Sequence, residues 1–266
     1  EKGEPRGSLS LLITGAEEGV ATHGTKMVVD ALIEEGETVS HCVVGEPTSS
    51  VHFGDMIKIG RRGTLNAVIV VEGRQGHVAY PQRAANPLPV LVKLLDRLAS
   101  HTLDEGYEAF QPSNLEVTNV DVGNPATNVI PAKAMAGLNI RFNPGHAGQD
   151  LKAWLAAECA RANEGFSGTV TLKATVGGEP FLTQKGGFTD IAARAVAAVA
   201  GREPELSTTG GTSDARFIRR LCPVLEFGLV GQTMHAVDER APVKEIEDLT
   251  AVYERLIESY FEAPPV

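Results

Sequence analysis

The sequence predicts an α/β domain that is interrupted by a smaller, inserted α+β domain. Near both ends of the chain, short apolar runs alternate with amphipathic helical patterns, which is typical of α/β domains. Between them, strand and helix patterns follow in the order β-α-β-β-α-β. A basic, glycine-flanked stretch at 58–63 marks the change from one pattern to the other. We therefore predict a discontinuous α/β domain over 1–62 and 178–266, and an inserted domain over 63–177.

The composition fits a globular protein of this size. The 266 residues are 42% apolar and 22% charged, which is ordinary for one large or two medium domains. A net charge of −10 argues against nucleic acid or an anionic membrane as the main partner, and no apolar run is long enough for a membrane span. The cysteines Cys42, Cys159 and Cys222 are too few and too widely spaced for a disulfide framework. They indicate a reducing, cytoplasmic location.

The first part of the α/β domain is organised around an apolar run that ends in two acids. The run Leu11–Thr14 predicts a buried strand, and Glu17 and Glu18 follow it. In open α/β sheets, ligands gather at the carboxyl ends of strands. Adjacent side chains point to opposite faces of a regular strand, but beyond its end, beside a glycine, both acids can face one site. The alternative is a solvated acidic loop.

The other elements of this domain follow from hydrophobic period and turn residues. The strand 42–45 leads directly to a third acid, Glu46, which Pro47 fixes in a turn, and 51–59 is rich in β-forming residues. A glycine-rich turn at 209–214 precedes a short helix, and the loop 231–235 follows a later strand. The remaining predicted elements are helices at 26–35, 188–200 and 244–261, and strands at 205–209 and 224–227.

The inserted domain has the split βαβ, ferredoxin-like order. This order predicts a four-stranded sheet with two helices on one face. Along one strand, Leu138 and Ile140 alternate with polar residues, and Arg141 lies on the polar side. The predicted strands are 64–72, 113–122, 133–142 and 169–176, and the predicted helices are 87–100 and 150–163.

Three acids and one histidine of the α/β domain are candidates for metal chemistry. Glu17, Glu18, Glu46 and His235 all lie in loops that follow apolar strands. Carboxylates and imidazole suit zinc or a similar divalent ion, and a carboxylate that does not bind the metal can deprotonate water. Taken singly, Glu46 is also compatible with a turn acid and His235 with a structural loop histidine. Their combination at one sheet edge favours a site.

The inserted domain offers a second polar group. His77 follows a glycine pair and Asn128 lies in a loop, so both are candidates to donate hydrogen bonds to a developing oxyanion. Arg141 is a candidate carboxylate ligand, although a surface arginine is the simpler interpretation of the residues alone. A hydrolase triad based on Ser213 is disfavoured because no G-x-S-x-G elbow surrounds it. The turn 210–212 lacks the lysine and spacing of a phosphate loop.

Seven segments of the chain, in order, resemble the di-zinc aminoacylase and metallopeptidase family, and most of all its desuccinylase branch. The resemblance implies a mixed-sheet, di-zinc aminopeptidase-like catalytic domain with an inserted ferredoxin-like dimerisation domain. The segments are LLITGAEEG (11–19), VGEPT (44–48), KIGRRGT (58–64), GRQGHVAYP (73–81), NVIP (128–131), STTGGTSDARF (207–217) and TMH (233–235).

The resemblance also implies a role for each matching residue. Glu17 is expected to be the general base. Glu18 and Glu46 are expected to bind different zinc ions, with His235 on the same zinc as Glu18. His77 is expected to stabilise the tetrahedral intermediate, and it and Asn128 are expected to reach the active site of the partner subunit in a homodimer. The expected substrate-binding residues are Lys58, Arg61, Thr64, Tyr80, Asn128, Arg141, Gly211 and Thr212.

The implied reaction is zinc-dependent hydrolysis of N-succinyl-LL-2,6-diaminopimelate to succinate and LL-2,6-diaminopimelate, in lysine biosynthesis. Two Zn²⁺ ions per complete subunit are expected, with Co²⁺ as a possible substitute, and the substrate is a small amide that carries carboxylates. One alternative is a related amidohydrolase, such as an acetylornithine deacetylase or an aminoacylase. The other is a non-catalytic, dimeric binding protein.

The second alternative is motivated by a departure from the family pattern. The family's metal site also needs an H-x-D histidine and a bridging aspartate, and none of the seven histidines here is followed two positions later by aspartate. The sequence therefore resembles a family member without its N-terminal segment. A smaller departure is Ala16, at a position where the desuccinylases usually carry an acid.

Overall fold

A computed structural model describes residues 7–18, 21 and 23–262. The chain divides into two compact units, which are described separately. The α/β unit consists of Glu1–Arg61 and Phe181–Val266, and the insert consists of Arg62–Pro180. The predicted boundaries were 62/63 and 177/178.

The secondary structure consists of short strands in the α/β unit and long strands in the insert. The helices are α1 Thr25–Glu34, α2 Pro87–Ala99, α3 Gly148–Asn163, α4 Gly187–Ala200, α5 Ala215–Ile218 and α6 Val243–Glu262, with a 3₁₀ turn at Pro81–Arg83. The strands are β1 Cys42–Val44, β2 Met56–Lys58, β3 Gly60–Arg61, β4 Gly63–Glu72, β5 Gly76–His77, β6 Asn114–Asp121, β7 Val129–Ile130, β8 Lys133–Phe142, β9 Thr169–Gly178, β10 Phe181–Leu182, β11 Glu205–Ser207 and β12 Val224–Glu226.

The α/β unit is built on a mixed sheet, as predicted. Its strand order is β1-β12-β2-β11, in which β1 and β12 are parallel, β2 and β11 are parallel, and β12 and β2 are antiparallel. The strands β3 and β10 form a separate antiparallel pair. Apolar side chains from β2 and β12, from the residues that directly follow these strands, and from α4 and α6 form one core, which includes Ile57, Ile59, Phe188, Leu225 and Phe227. This sheet brings the carboxyl ends of β1 and β12 side by side.

The prediction of a buried strand at Leu11–Thr14 is wrong. The segment forms no strand with any part of the chain that the structure describes, and Leu11 and Ile13 are 82% and 89% exposed. A strand needs a neighbour that accepts its N–H groups and donates to its carbonyls, and the apolar run alone does not supply one. The β-rich stretch 51–59 likewise contains only β2, because Asp55 accepts three backbone N–H bonds from Ser50, Val51 and His52 and closes a turn.

The insert has the predicted β-α-β-β-α-β order. Its antiparallel sheet has the strand order β6-β8-β4-β9, and β4 pairs with β8 in unbroken register from Gly63–Phe142 to Glu72–Lys133. One face of the sheet packs against α2 and α3 in a core that includes Leu65, Ile69, Leu91, Leu138 and Leu155. The alternation that predicted β8 is therefore the alternation between this core and the uncovered face.

Local signals explain where the helices of the insert begin and end. Asn86 caps α2 by accepting a hydrogen bond from the Leu88 N–H (3.1 Å), and Pro87 occupies the first turn, where its missing N–H costs nothing. The helix ends after Ala99.

In the described part of the chain, no helix is long and apolar enough to cross a bilayer.

Candidate active site

A pocket of about 750 Å³ opens in the α/β unit. Four loops, three strand residues and one helix residue line it, and they carry most of the residues that the sequence singled out for this unit. The lining acids and histidine are Glu17, Glu18, Glu46, Glu239 and His235, and the lining cations are Lys58, Arg61 and Arg216. The turn 209–212 completes the wall. The pocket therefore unites carboxylates, an imidazole and three cationic side chains.

One side-chain contact and one close backbone contact with the start of α1 hold the segment that carries Glu17 and Glu18. The Thr14 and Thr25 hydroxyls are 2.6 Å apart. Gly24 has a φ of 83°, and a Cβ atom there would lie 2.1 Å from the carbonyl oxygen of Gly15, so only glycine allows this approach. Ala16 adopts a φ of 58°, which is unusual for a residue with a Cβ atom and turns the backbone directly before Glu17. The neighbouring Gly19, to which the sequence interpretation assigned this freedom, lies outside the described residues.

Glu46 is placed by the parallel pairing of β1 and β12. The backbone after β1 crosses the backbone after β12 so closely that a Cβ atom on Gly228 would lie 2.3 Å from the Glu46 carbonyl oxygen. The Ser49 hydroxyl donates to the Gly228 carbonyl at 3.0 Å and fixes this crossing. Glu46 therefore sits at the carboxyl ends of two adjacent strands, where α/β sheets bind ligands.

His235 comes from the loop that follows β12. The loop is tied back to the β1 side by the hydrogen bond from Gly231 N–H to the Ser49 carbonyl (3.1 Å). His235 has a φ of 60° and points its Nε2 atom towards Glu18, 3.6 Å from Oε1. Both side chains are exposed. The structure thus brings together the imidazole and the carboxylate that the resemblance assigns to one zinc.

Burial, together with the crowding of acids, raises the pKa values of two carboxyl groups in the pocket. Burial raises the pKa of Glu46 to about 7, and the negative charges of Glu226 and Glu17 add to this rise. Burial also raises the pKa of Glu17, followed by repulsion from Asp214 and Glu18. Such a group of acids binds protons more strongly than isolated carboxylates do, and a bound cation would relieve the same repulsion.

The donor atoms fit a divalent metal by type, since carboxylates and imidazole are ligands of zinc and related ions. They do not form a complete shell. Within residues 7–18, 21 and 23–262, no three His, Cys, Asp or Glu side chains converge closely enough to hold an ion. Glu18 with His235 and, separately, Glu46 therefore offer partial sets of ligands.

The predicted substrate residue Arg61 is held by a carboxylate that the sequence interpretation missed. Glu226 on β12 is fully buried and accepts hydrogen bonds from Arg61 Nε (2.9 Å to Oε2) and from Arg61 Nη2. It also accepts the Ser213 hydroxyl at 2.5 Å. Ser213 is thus buried and its hydroxyl is already hydrogen-bonded, which agrees with the prediction that Ser213 is not the nucleophile of a hydrolase triad. One sequence feature could have indicated this ion pair. Glu226 lies within the apolar stretch 224–227, and a charge that is buried there requires a partner.

Lys58 and the turn 209–212 form the opposite wall of the pocket. Lys58 is buried, and its Nζ donates to the Thr209 hydroxyl at 2.6 Å and to Ser207 at 3.4 Å. Burial, with repulsion from Arg61, lowers the pKa of Lys58 to about 8. Gly211 and Thr212 line the pocket as well. Arg216, which the sequence interpretation did not select, is the third cation of the pocket.

The insert carries the other predicted site residues in two groups. The first lies around the β5–β7 pair, where His77 pairs with Val129 and the Val78 N–H donates to the Asn128 carbonyl at 3.1 Å. The rings of His77 and Tyr80 are 5.9 Å apart. These side chains are exposed and form one cluster.

The second group lies on the uncovered face of the insert's sheet. Arg141 pairs in register with Thr64 on β4 and with Asn114 on β6. Burial lowers the pKa of Arg141, and the nearby Arg62 lowers it further. The Nη1 atom of Arg141 is buried and has no hydrogen-bond partner among the described residues. Arg141 is therefore more enclosed than the surface arginine that the residues alone favoured.

Comparisons with known proteins agree with this architecture. The M20 family model for a peptidase dimerisation domain matches residues 59–166. A protein of Caulobacter sp. (strain K31) named succinyl-diaminopimelate desuccinylase is 68% identical over 97% of this chain and 66% of its own length. One with the same name from Phenylobacterium zucineum (strain HLK1) is 66% identical over 97% of this chain and 68% of its own. A Bacillus subtilis structure described as a dinuclear metal-binding peptidase of the M20 family has a TM-score of 0.67 and 17% identity, covering 94% of this chain and 64% of that one.

The fold and the matching insert are those of the M20 peptidase class. Given the identity and the coverage of its relatives, the chain belongs to the succinyl-diaminopimelate desuccinylase family within that class. The chain spans about two thirds of the length of these relatives.

Proposed function

We propose that the protein hydrolyses the succinyl amide of N-succinyl-LL-2,6-diaminopimelate and releases succinate and LL-2,6-diaminopimelate, a step of lysine biosynthesis. The observation that carries this proposal is the single pocket that Glu17, Glu18, Glu46 and His235 share. The name borne by relatives at 68% and 66% identity supports the choice of substrate.

In this proposal, Glu17 is the general base. It accepts a proton from the water that attacks the amide carbon and passes this proton to the departing amine nitrogen. Its raised pKa brings it closer to the pH at which a base both accepts and returns protons efficiently. Lys58, Arg61 and the Gly211–Thr212 turn orient the substrate within the same pocket.

Two zinc ions complete the proposed site, with cobalt able to substitute. Glu18 with His235 would hold one ion, and Glu46 would contribute to the other. When bound, such ions polarise the amide carbonyl and lower the pKa of water. The partial ligand sets of the described residues support metal binding by donor type and by the approach of His235 to Glu18.

We further propose a homodimer that assembles through the insert. The match to a peptidase dimerisation domain supports it. In the dimer, His77 and Asn128 would serve the active site of the partner subunit, His77 by donating to the developing oxyanion. Thr64, Tyr80 and Arg141 would contact the substrate. A cytoplasmic location is supported by the three free cysteines, whose thiol pKa values burial raises to about 11 or 12.

The test compares two acyl groups on one amine and adds one acetylated amine of a different kind. The complete gene product is incubated with zinc and either N-succinyl- or N-acetyl-LL-2,6-diaminopimelate, and N-acetylornithine is included as a third substrate. Hydrolysis of the succinyl compound with the highest kcat/KM, lost after chelation and restored by zinc, is the expected result. A preference for either acetyl compound would instead identify a related deacetylase, and no turnover of any substrate would contradict the proposal.

A further inference from the structure

The three cations of the pocket differ in how far their hydrogen-bonding capacity is already used. The carboxylate of Glu226 occupies the Nε and Nη2 edge of Arg61, the edge that would otherwise bind a carboxylate with two parallel hydrogen bonds. The third nitrogen, Nη1, donates to the Thr209 carbonyl at 3.3 Å. The charge of Arg61 is therefore neutralised within the protein, and Arg61 is poorly suited to be the main anion ligand.

Lys58 is also engaged, although by neutral groups. Its ammonium donates to the hydroxyls of Thr209 and Ser207, and the side chain is buried. The ammonium also donates to the sulfur of Met56 at 2.7 Å, so its three N–H donors are all used. Lys58 contributes positive potential to the pocket, but its geometry is fixed by the wall behind it.

Arg216 is the cation whose hydrogen-bonding capacity is largely unused. Among the described residues, its guanidinium makes one long hydrogen bond, from Nη1 to the Thr212 hydroxyl (3.4 Å), and no ion pair. Its Nε is buried and has no partner in that part of the chain. The guanidinium lies over the ring of Phe217, with Cζ 4.6 Å from the ring centroid, which holds the group in place. A buried, unpaired guanidinium N–H is costly unless something binds it.

We propose that Arg216 binds a carboxylate of the substrate in this pocket, beside Arg61, whose Nε and Nη2 edge is already occupied by Glu226. Arg216 and Glu17 line the same pocket, so a carboxylate bound by Arg216 would share this pocket with the proposed base. The planar guanidinium matches a carboxylate with two parallel N–H···O bonds. This inference rests on the proposed function, because it names the residue that binds a carboxylate of the proposed substrate.

The test measures ligand binding separately from turnover. Titration calorimetry with the complete, zinc-loaded gene product gives Kd values for succinate and for LL-2,6-diaminopimelate, and these two arms identify which carboxylate Arg216 binds. We expect Arg216→Gln to weaken one of the two ligands by about ten- to a hundredfold, since hydrogen bonds to charged groups contribute this much. KM for the succinylated substrate should rise by a similar factor, whereas kcat should change less.

Two further variants make the result decisive. Arg216→Lys keeps the charge but loses the planar fork, so we expect only partial recovery of affinity. Arg219→Gln is the matched control, because Arg219 follows α5 and is exposed, and this variant should bind both ligands as the wild type does.

Wild-type affinity of Arg216→Gln for both ligands would overturn the inference while leaving the proposed function intact. A wild-type protein that cleaves no succinyl amide would overturn the function, and the two Kd values would still judge Arg216. Thermal unfolding curves show whether each variant is folded, and if Arg216→Gln is not, Arg216→Lys decides: unchanged affinity for both ligands contradicts the inference.

Discussion

Glu226 shows how a single buried charge organises the wall of the pocket. Its two oxygens bind Arg61 from β3 and Ser213 from the loop before α5, and the side chain is fully shielded from solvent. Removing a charge from water is expensive, and the attraction within a buried pair compensates only while both partners are present. The pair is therefore more important for holding Arg61 and the turn 209–213 in one arrangement than for net stability.

This arrangement predicts an asymmetry between single and double substitutions. Glu226→Gln leaves the Arg61 charge buried without a counter-charge, so the free energy of unfolding should fall by about 3–5 kcal/mol. Replacing both partners, as in Arg61→Met with Glu226→Leu, should cost much less. Urea denaturation measures both, with Glu205→Gln on the exposed edge of β11 as the control. A loss for Glu226→Gln no larger than that of the control would show that the pair is not structurally important.

At the scale of elements, the insert was predictable because its signals are local. The alternation along β8 and the helical period of α2 and α3 each reflect one covered face, so sequence alone locates them to within a few residues. Leu11–Thr14 has an equally apolar sequence, yet it is exposed because pairing is a property of two segments. Glu226 was missed for the related reason that its partners, Arg61 and Ser213, lie far away in sequence or in an irregular loop.

Asp104 links two loops of the insert, and this link should be lost in acid. It accepts hydrogen bonds from the Gly106 N–H (2.7 Å), from Asn143 (2.7 Å), from Ser113 and from His146. Burial alone would raise the pKa of Asp104, but the bonds from Ser113, Gly106 and His146 outweigh burial and lower the pKa to about 2. Since the folded pKa lies below the unfolded value of about 3.9, the stabilisation is complete above that value and disappears as the pH falls towards 2.

The pH dependence can be measured with Asp104→Asn. The difference in unfolding free energy between wild type and variant should be constant from pH 7 to about pH 5 and should shrink steadily from about pH 4 to pH 2. Asp121→Asn, at the exposed end of β6, is the matched control and should show no such difference. A difference between wild type and Asp104→Asn that is independent of pH would show that the carboxylate charge does not stabilise the loops.

At the scale of the whole molecule, the predicted site residues fall on both units. Glu17, Glu18, Glu46, Lys58, Arg61, Gly211, Thr212 and His235 line one pocket of the α/β unit, while His77, Thr64, Tyr80, Asn128 and Arg141 belong to the insert. The matching sequence segments identified most of these positions, although several of the residues, such as Lys58, Arg61 and Arg141, lie on strands rather than in loops. The segments did not reveal the largely unused hydrogen-bonding capacity of Arg216 or the neutralisation of Arg61, which depend on contacts between side chains rather than on any residue type.

The central claim is that Glu17 moves protons in this pocket while other residues hold the metal. The most direct measurement is kcat for N-succinyl-LL-2,6-diaminopimelate with wild type and Glu17→Gln, each as the complete, zinc-loaded gene product, together with the zinc content of each protein. Glutamine is nearly isosteric with glutamate but is not a base, so we expect zinc content to be unchanged and kcat to fall by about a hundredfold to ten-thousandfold. A Glu17→Gln protein that turns over at the wild-type rate would contradict the claim, and so would one whose activity falls only in proportion to lost zinc.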